Sequence, residues 1–178
     1  MNHKYIVLIV GKSGSGKSTI CDYLTREYDL KELKSYTTRE RRNMQDNTHT
    51  FITDKQFDEL EGLVAYTEFD GHRYGATSAQ VDESDLYVID VKGVEYFLKE
   101  YKGKKIPMVV YIDAEDDVRR KRMEIRGDSD IAIDARLMLD DTEFENATDY
   151  AINTYVNNDA WWDDVGRISD DIYKTFFA

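Results

Sequence analysis

The residues with the most chemistry in this chain form one run, Gly11-Lys12-Ser13-Gly14-Ser15-Gly16-Lys17-Ser18-Thr19. The run fits the pattern GxxxxGK(S/T), and each fixed position has a physical reason. Glycines at 11, 14 and 16 let the backbone curl until successive N–H groups converge on an anion, an approach that side chains would obstruct. Lys17 adds a point charge for β- and γ-phosphates, and Ser18 offers a hydroxyl to a metal ion. A helix starting near residue 17 turns its positive end toward the same place. The pattern implies a bound nucleotide polyphosphate, with ATP and Mg2+ the expected pair.

Two further groups of residues suit phosphate. Tyr36-Thr37-Thr38-Arg39-Glu40-Arg41-Arg42 concentrates hydroxyls and guanidiniums in a short stretch, and the planar fork of arginine grips phosphate bidentately. Later, Arg122 and Arg126 share one helix face at i, i+4. Gly127-Asp128-Ser129-Asp130 then breaks that helix before another carries Arg136. Arginines on both sides of a hinge-like break are what a lid closing over phosphates requires.

These residues need a frame that brings them together. Tyr5 to Val10 is an apolar, β-branched run of the length of a buried parallel strand, and Ile20, Tyr23, Leu24 and Tyr28 recur at helical spacing after the loop. Leu33–Ser35, Leu63–Phe69, Leu86–Asp90, Ile106–Ile112 and Asp149–Asn153 are expected as further strands. Thr53 and Gln56 form the signature of a capping box for a short helix ending near Glu61. Val94, Phe97, Leu98 and Tyr101 mark one face of a helix after Asp90, and Trp161, Val165, Ile168 and Ile172 mark a face of the last one. Strands alternating with helices predict an α/β fold, a parallel sheet covered by helices on both faces, with ligands at the carboxyl edge of the strands.

With 178 residues, 41% hydrophobic, the chain suits a single domain with sub-lobes and not a disordered segment. Acidic residues outnumber basic ones by 36 to 24, a balance that disfavours a nucleic-acid partner. The lone Cys21 allows no intrachain disulfide and fits a reducing cytoplasm. His3, His49 and His72 are scattered, so no zinc site is expected. The N-terminal apolar run leads straight into the loop and is expected to be a strand, not a signal peptide; no stretch approaches membrane-spanning length.

In order after the loop come Ser35-Tyr-Thr-Thr-Arg39 with Arg42, then Gly71-His-Arg-Tyr74-Gly75, Asp90-Val-Lys-Gly93, Arg126-Gly127 and Arg136-Leu137. In that order and over nearly the whole length, the chain resembles the guanylate kinase family. The resemblance implies a P-loop NTPase core made of residues 1–34, 76–125 and 143–178, an inserted nucleoside-monophosphate lobe over 35–75 and a lid over 126–142. It assigns Arg39, Arg42 and Tyr74 to the acceptor phosphate, Ser35 and Asp90 to the guanine edge, and Asn153 to an adenine contact. Lys17, Arg126 and Arg136 would carry the charge stabilisation of an ATP-dependent phosphoryl transfer to a nucleoside monophosphate.

The chain departs from the family pattern in three places. Ala65 stands where a glutamate accepts from the guanine N1 and N2 groups, and Glu68, an odd number of positions away on a strand, faces the other side unless a bulge intervenes. The loop after Arg42 is shorter, with His49 or Thr50 where a phosphate-binding tyrosine is expected. Val88-Ile89-Asp90 carries one acid fewer than the family's Asp-Ile-Asp. These departures leave a related or modified base as an alternative acceptor to guanine. A sugar-phosphate kinase of the same fold and a non-catalytic guanylate-kinase-like binding module are the competing readings.

Overall fold

The computed structural model describes residues 3–41, 43–44, 46–69, 71–159 and 162–178. Arg42 and Trp161, both singled out from the sequence, lie outside the described residues. Strand β1 (Tyr5–Val10) is followed through the loop by α1 (Lys17–Tyr28), the order expected. The core sheet runs β6 (Leu86–Val88), β1, β7 (Ile106–Asp113), β8 (Asn153–Val156), with every neighbouring pair parallel. A second sheet, in the order β3 (Thr50–Phe51), β2 (Tyr36–Thr37), β5 (His72–Thr77), β4 (Leu63–Phe69), forms the lobe inserted between α1 and β6.

The alternation along β1 divides the core in two. Ile6, Leu8 and Val10 face one side, with Val109, Tyr111 and the Val94, Phe97 and Tyr101 stripe of α4 (Val91–Glu100). Val7 and Ile9 face the other, with Ile20 and Leu24 of α1 and Val165, Ile168 and Ile172 of α8 (Trp162–Phe176). A strand buried on both faces has no polar side to show, which is why its sequence is apolar throughout. Cys21 is buried in the second cluster.

The capping boxes are local and form as written: Thr53 with Gln56 starts α2 (Asp54–Asp58), and Thr77 with Gln80 starts α3 (Ser78–Glu83), a helix the sequence reading did not include. After β7 come α5 (Asp116–Arg126), α6 (Asp130–Glu143) and α7 (Ala147–Tyr150). Gly127 at φ 91° ends α5, and the Ser129 hydroxyl caps α6 through Ala132 N–H.

Four expectations are corrected. Leu33–Ser35 is not a strand; the chain touches the core sheet there through the Glu32–Leu86 bridge and joins the lobe sheet at Tyr36 instead. Helix α2 ends at Asp58, short of Glu61. Leu98 is exposed, so the α4 stripe is narrower than its hydrophobicity suggests. The last strand begins at Asn153, where pairing with Val110 sets the register, while residues 147–150 turn into α7.

Candidate functional site

The loop is shaped from outside by groups that take its carbonyl oxygens. Arg119 Nε donates to Ser13 O at 2.9 Å, Arg122 Nη1 to Gly14 O at 3.2 Å, and Asn157 Nδ2 to Ser15 O at 2.8 Å. Two of the loop's amides are also engaged, Ser13 N–H by Asp140 Oδ2 at 2.8 Å and Ser15 N–H by Lys12 O at 3.2 Å. A Cβ on Gly14 (φ 76°) would lie 2.8 Å from Arg119 O, and one on Gly16 (φ 97°) only 2.3 Å from Asn157 Nδ2. Both positions therefore need glycine for close approach as well as for the left-handed backbone.

The loop suits a polyphosphate by what it leaves open. Gly16, the residue before α1, supplies no side-chain cap, so the first amides of that helix have no side-chain partner there. Among the described residues the buried Ser15 Oγ has no hydrogen-bond partner. Lys17 Nζ folds back onto Gly11 O at 2.6 Å and Lys12 O at 3.0 Å. Burial lowers its pKa to about 8, Asp140 acts against that shift, and Arg119 and Arg126 add to it. A buried ammonium among arginines gains most from an arriving anion.

A groove of about 870 Å³ runs along the loop, lined by Lys17, Ser18, Thr19, Arg39, Arg126 and Arg136 among others. Residues from the loop, the lobe and both helices flanking Gly127 thus share one cavity. Arg126 is exposed and pairs with Asp128, whereas Arg136 is half-buried and forms no ion pair among the described residues. Gly11 lies in an adjoining space of about 250 Å³, shared with Lys17, Asp90 and Arg136.

From the groove a chamber of about 220 Å³ opens into the lobe, with Ser35, His49, Ala65, Thr67, Tyr74 and Asp90 among its walls. Thr37 Oγ1 accepts Arg39 N–H and so positions the arginine at its mouth, while Thr38 Oγ1 accepts Arg73 N–H from β5. The Arg39 guanidinium donates to Asp46 at 3.0 Å and lies over the Phe51 ring at 5.1 Å. His49 meets Ser35 Oγ through Nδ1 at 2.9 Å and stands edge-on to Tyr74, with ring centroids 5.4 Å apart.

Asp90 caps α4 through Gly93 N–H at 2.6 Å, and burial pushes its carboxyl pKa up. Tyr87, which sequence reasoning did not select, contributes a hydroxyl hydrogen-bonded with Ser35 and raised in pKa by burial.

The register shift of β4 falls between Leu63 and Ala65, and pairing is regular from Ala65 to Phe69. Ala65, Tyr66 and Thr67 line the chamber; Glu68 does not, and it bonds to Tyr66. Asn153 bonds to Tyr155 Oη at 3.1 Å and is not among the residues that line this groove, whereas Asn157, the residue after β8, is.

A family model described as an AAA domain matches residues 7–152. The guanylate kinase of Fusobacterium nucleatum is 27% identical over 168 residues, covering 86% of this chain and 88% of that protein. The chain belongs to the AAA-domain family as a divergent guanylate kinase relative. The guanylate kinase of Campylobacter jejuni is 26% identical over 159 residues, covering 82% of this chain and 78% of its own length. The crystal structure of guanylate kinase from Anaplasma phagocytophilum shares the fold, with a TM-score of 0.65 at 17% identity, over 100% of this chain and 89% of that one. This guanylate kinase relative therefore shares the overall fold of that structure. No helix among the described residues is long and apolar enough to cross a membrane.

Proposed function

We propose that the protein is a nucleoside-monophosphate kinase that transfers the γ-phosphoryl group of ATP to a (deoxy)nucleoside monophosphate. One observation carries the reading: a single groove holds the phosphate loop, Lys17, Arg39, Arg126 and Arg136, and a separate base-sized chamber opens from it. Two phosphate-binding ends facing one cavity suit a donor and an acceptor held in line.

Amides of Gly14 to Thr19 and the start of α1 bind the donor phosphates, Lys17 turns from its loop carbonyls to the β- and γ-oxygens, and Asn157 replaces Asn153 as the asparagine beside the donor. Arg39 and Tyr74, with Arg42 by resemblance, hold the acceptor phosphate. Arg126 and Arg136 bring positive charge to the group in transfer, the largest contribution a protein makes to this chemistry. The acceptor phosphate, largely dianionic at neutral pH, is its own nucleophile, so no protein base is required. Ser18 Oγ would hold Mg2+, which would supply charge neutralisation to the donor phosphates. Among the described residues no cluster of His, Cys, Asp and Glu competes for it.

Ser35 and Asp90 face the base, and His49 lies beside Ser35 and Tyr74 at the chamber mouth. With Ala65 and Thr67 on the wall where a carboxylate would read guanine, the N1–H and 2-amino donors lose their anion. Base choice is thereby relaxed toward GMP- or dGMP-like nucleotides and related or modified bases.

A coupled assay with MgATP against the ribo- and deoxynucleoside monophosphates, with ribose phosphates alongside, tests the reading. ADP release with at least one nucleoside monophosphate supports it. Turnover of sugar phosphates alone would move the activity to that class, and no ADP release with any acceptor would leave only a binding module.

A further inference from the structure

We propose that Asp140 is a positioning residue for this transfer: from helix α6 it clasps the phosphate loop at Ser13 and so fixes Arg136 beside Lys17. The proposal rests on the loop being the donor site. All the polar groups of Ser13 are engaged: its N–H donates to Asp140 Oδ2 at 2.8 Å and its hydroxyl to Oδ1 at 3.3 Å, while its carbonyl accepts Arg119 Nε at 2.9 Å. Arg119 closes the triangle by donating Nη2 to Asp140, and its Nη1 donates to Asp116 at 2.6 Å. The adjoining Asp141 takes Lys12 Nζ at 2.6 Å.

The triangle lies inside the protein, with Arg119 0% and Asp140 5% exposed. A buried carboxylate and guanidinium are costly unless their bonding groups are satisfied, and here each has several partners. An apolar pair would fill the same space at less cost, so the ion pair points to a task. Arg136 precedes Asp140 by one helical turn, on the same side of α6, and the two share a cavity with Lys17. A rigid helix rooted at Asp140 carries Arg136 to a set place, and the moving part of the lid is confined to the stretch around Gly127.

The test is calorimetric titration of MgATP into wild type, Asp140→Asn and Asp140→Glu, with thermal melts and steady-state kinetics of each. For Asp140→Asn the donor Kd is expected to rise at least about tenfold, the value of a charged hydrogen bond, with acceptor KM changed by less than about twofold. Asp140→Glu keeps the charge and moves it, so its Kd rises as well. A lowered melting temperature with wild-type donor affinity in either folded variant overturns the proposal. If Asp140→Asn does not fold, the Kd of Asp140→Glu decides. No MgATP binding by wild type overturns the reading of the loop and the proposal with it; binding that Asp140 variants leave unchanged overturns the proposal alone.

Discussion

Replacing Lys17 by methionine is expected to make the ligand-free protein more stable while removing donor binding. Folding takes the Lys17 ammonium from water into a site that lowers its pKa from 10.5 to about 8. Each pKa unit corresponds to about 1.4 kcal/mol, so keeping Lys17 protonated in the fold costs about 3 kcal/mol. The open groove beside the ammonium makes this an upper bound, and the lost bonds to Gly11 O and Lys12 O reduce it further, leaving a gain of roughly 1–2 kcal/mol.

The pH dependence identifies the cause. Below about pH 8 the lysine is protonated in both states and the full penalty applies. Between about 8 and 10.5 the unfolded chain binds more protons than the folded one, so the wild type gains stability from this residue as pH rises. The advantage of Lys17→Met should therefore be largest near neutrality and shrink through that window. Urea unfolding of both proteins at several pH values measures it, and added MgATP should stabilise only the wild type. A variant less stable than wild type at neutral pH, or a difference independent of pH, would refute the claim that desolvation of this ammonium is a stored cost of the site.

Two substitutions probe the chamber and the loop. Ala65→Glu restores a carboxylate on the wall that also carries Thr67; about 1.5–3 kcal/mol for each charged hydrogen bond, less about 1–3 kcal/mol for crowding a buried alanine, predicts roughly ten- to a hundredfold higher kcat/KM for GMP relative to other acceptors. An unchanged acceptor profile in the folded variant would count against that placement of the base. Gly16→Ala puts a Cβ 2.3 Å from Asn157 Nδ2 at a φ of 97°, so it should lower stability by about 1–3 kcal/mol and weaken MgATP binding, read by urea unfolding and titration.

How much of this was legible from sequence depends on the range of the interactions. The phosphate loop, the strand before it and the helix after it are adjacent residues whose types act through local backbone geometry, and the structure has them where the pattern put them. The Thr53–Gln56 capping box is local in the same sense. The resemblance motifs brought out Arg39, Arg126 and Arg136, which the fold gathers along one groove.

The register of β8 is set by its partner β7, and nothing within residues 147–157 states that pairing starts at Asn153. The apolar run before it looked more like a strand than the residues that form one, and this moved the groove asparagine from 153 to 157. In the sequence Arg119 is one of several basic residues between 119 and 126, and Asp140 is one acid among 36. Only folding brings Arg119 and Asp140 to Ser13 and Asn157 to Ser15, across separations of 106, 127 and 142 residues. The sequence by itself determined the anion-binding loop, because that chemistry is written in consecutive residues. Tertiary structure alone decided which distant side chains take the loop's carbonyls and tie α6 to Ser13, because those contacts depend on how strands and helices pack.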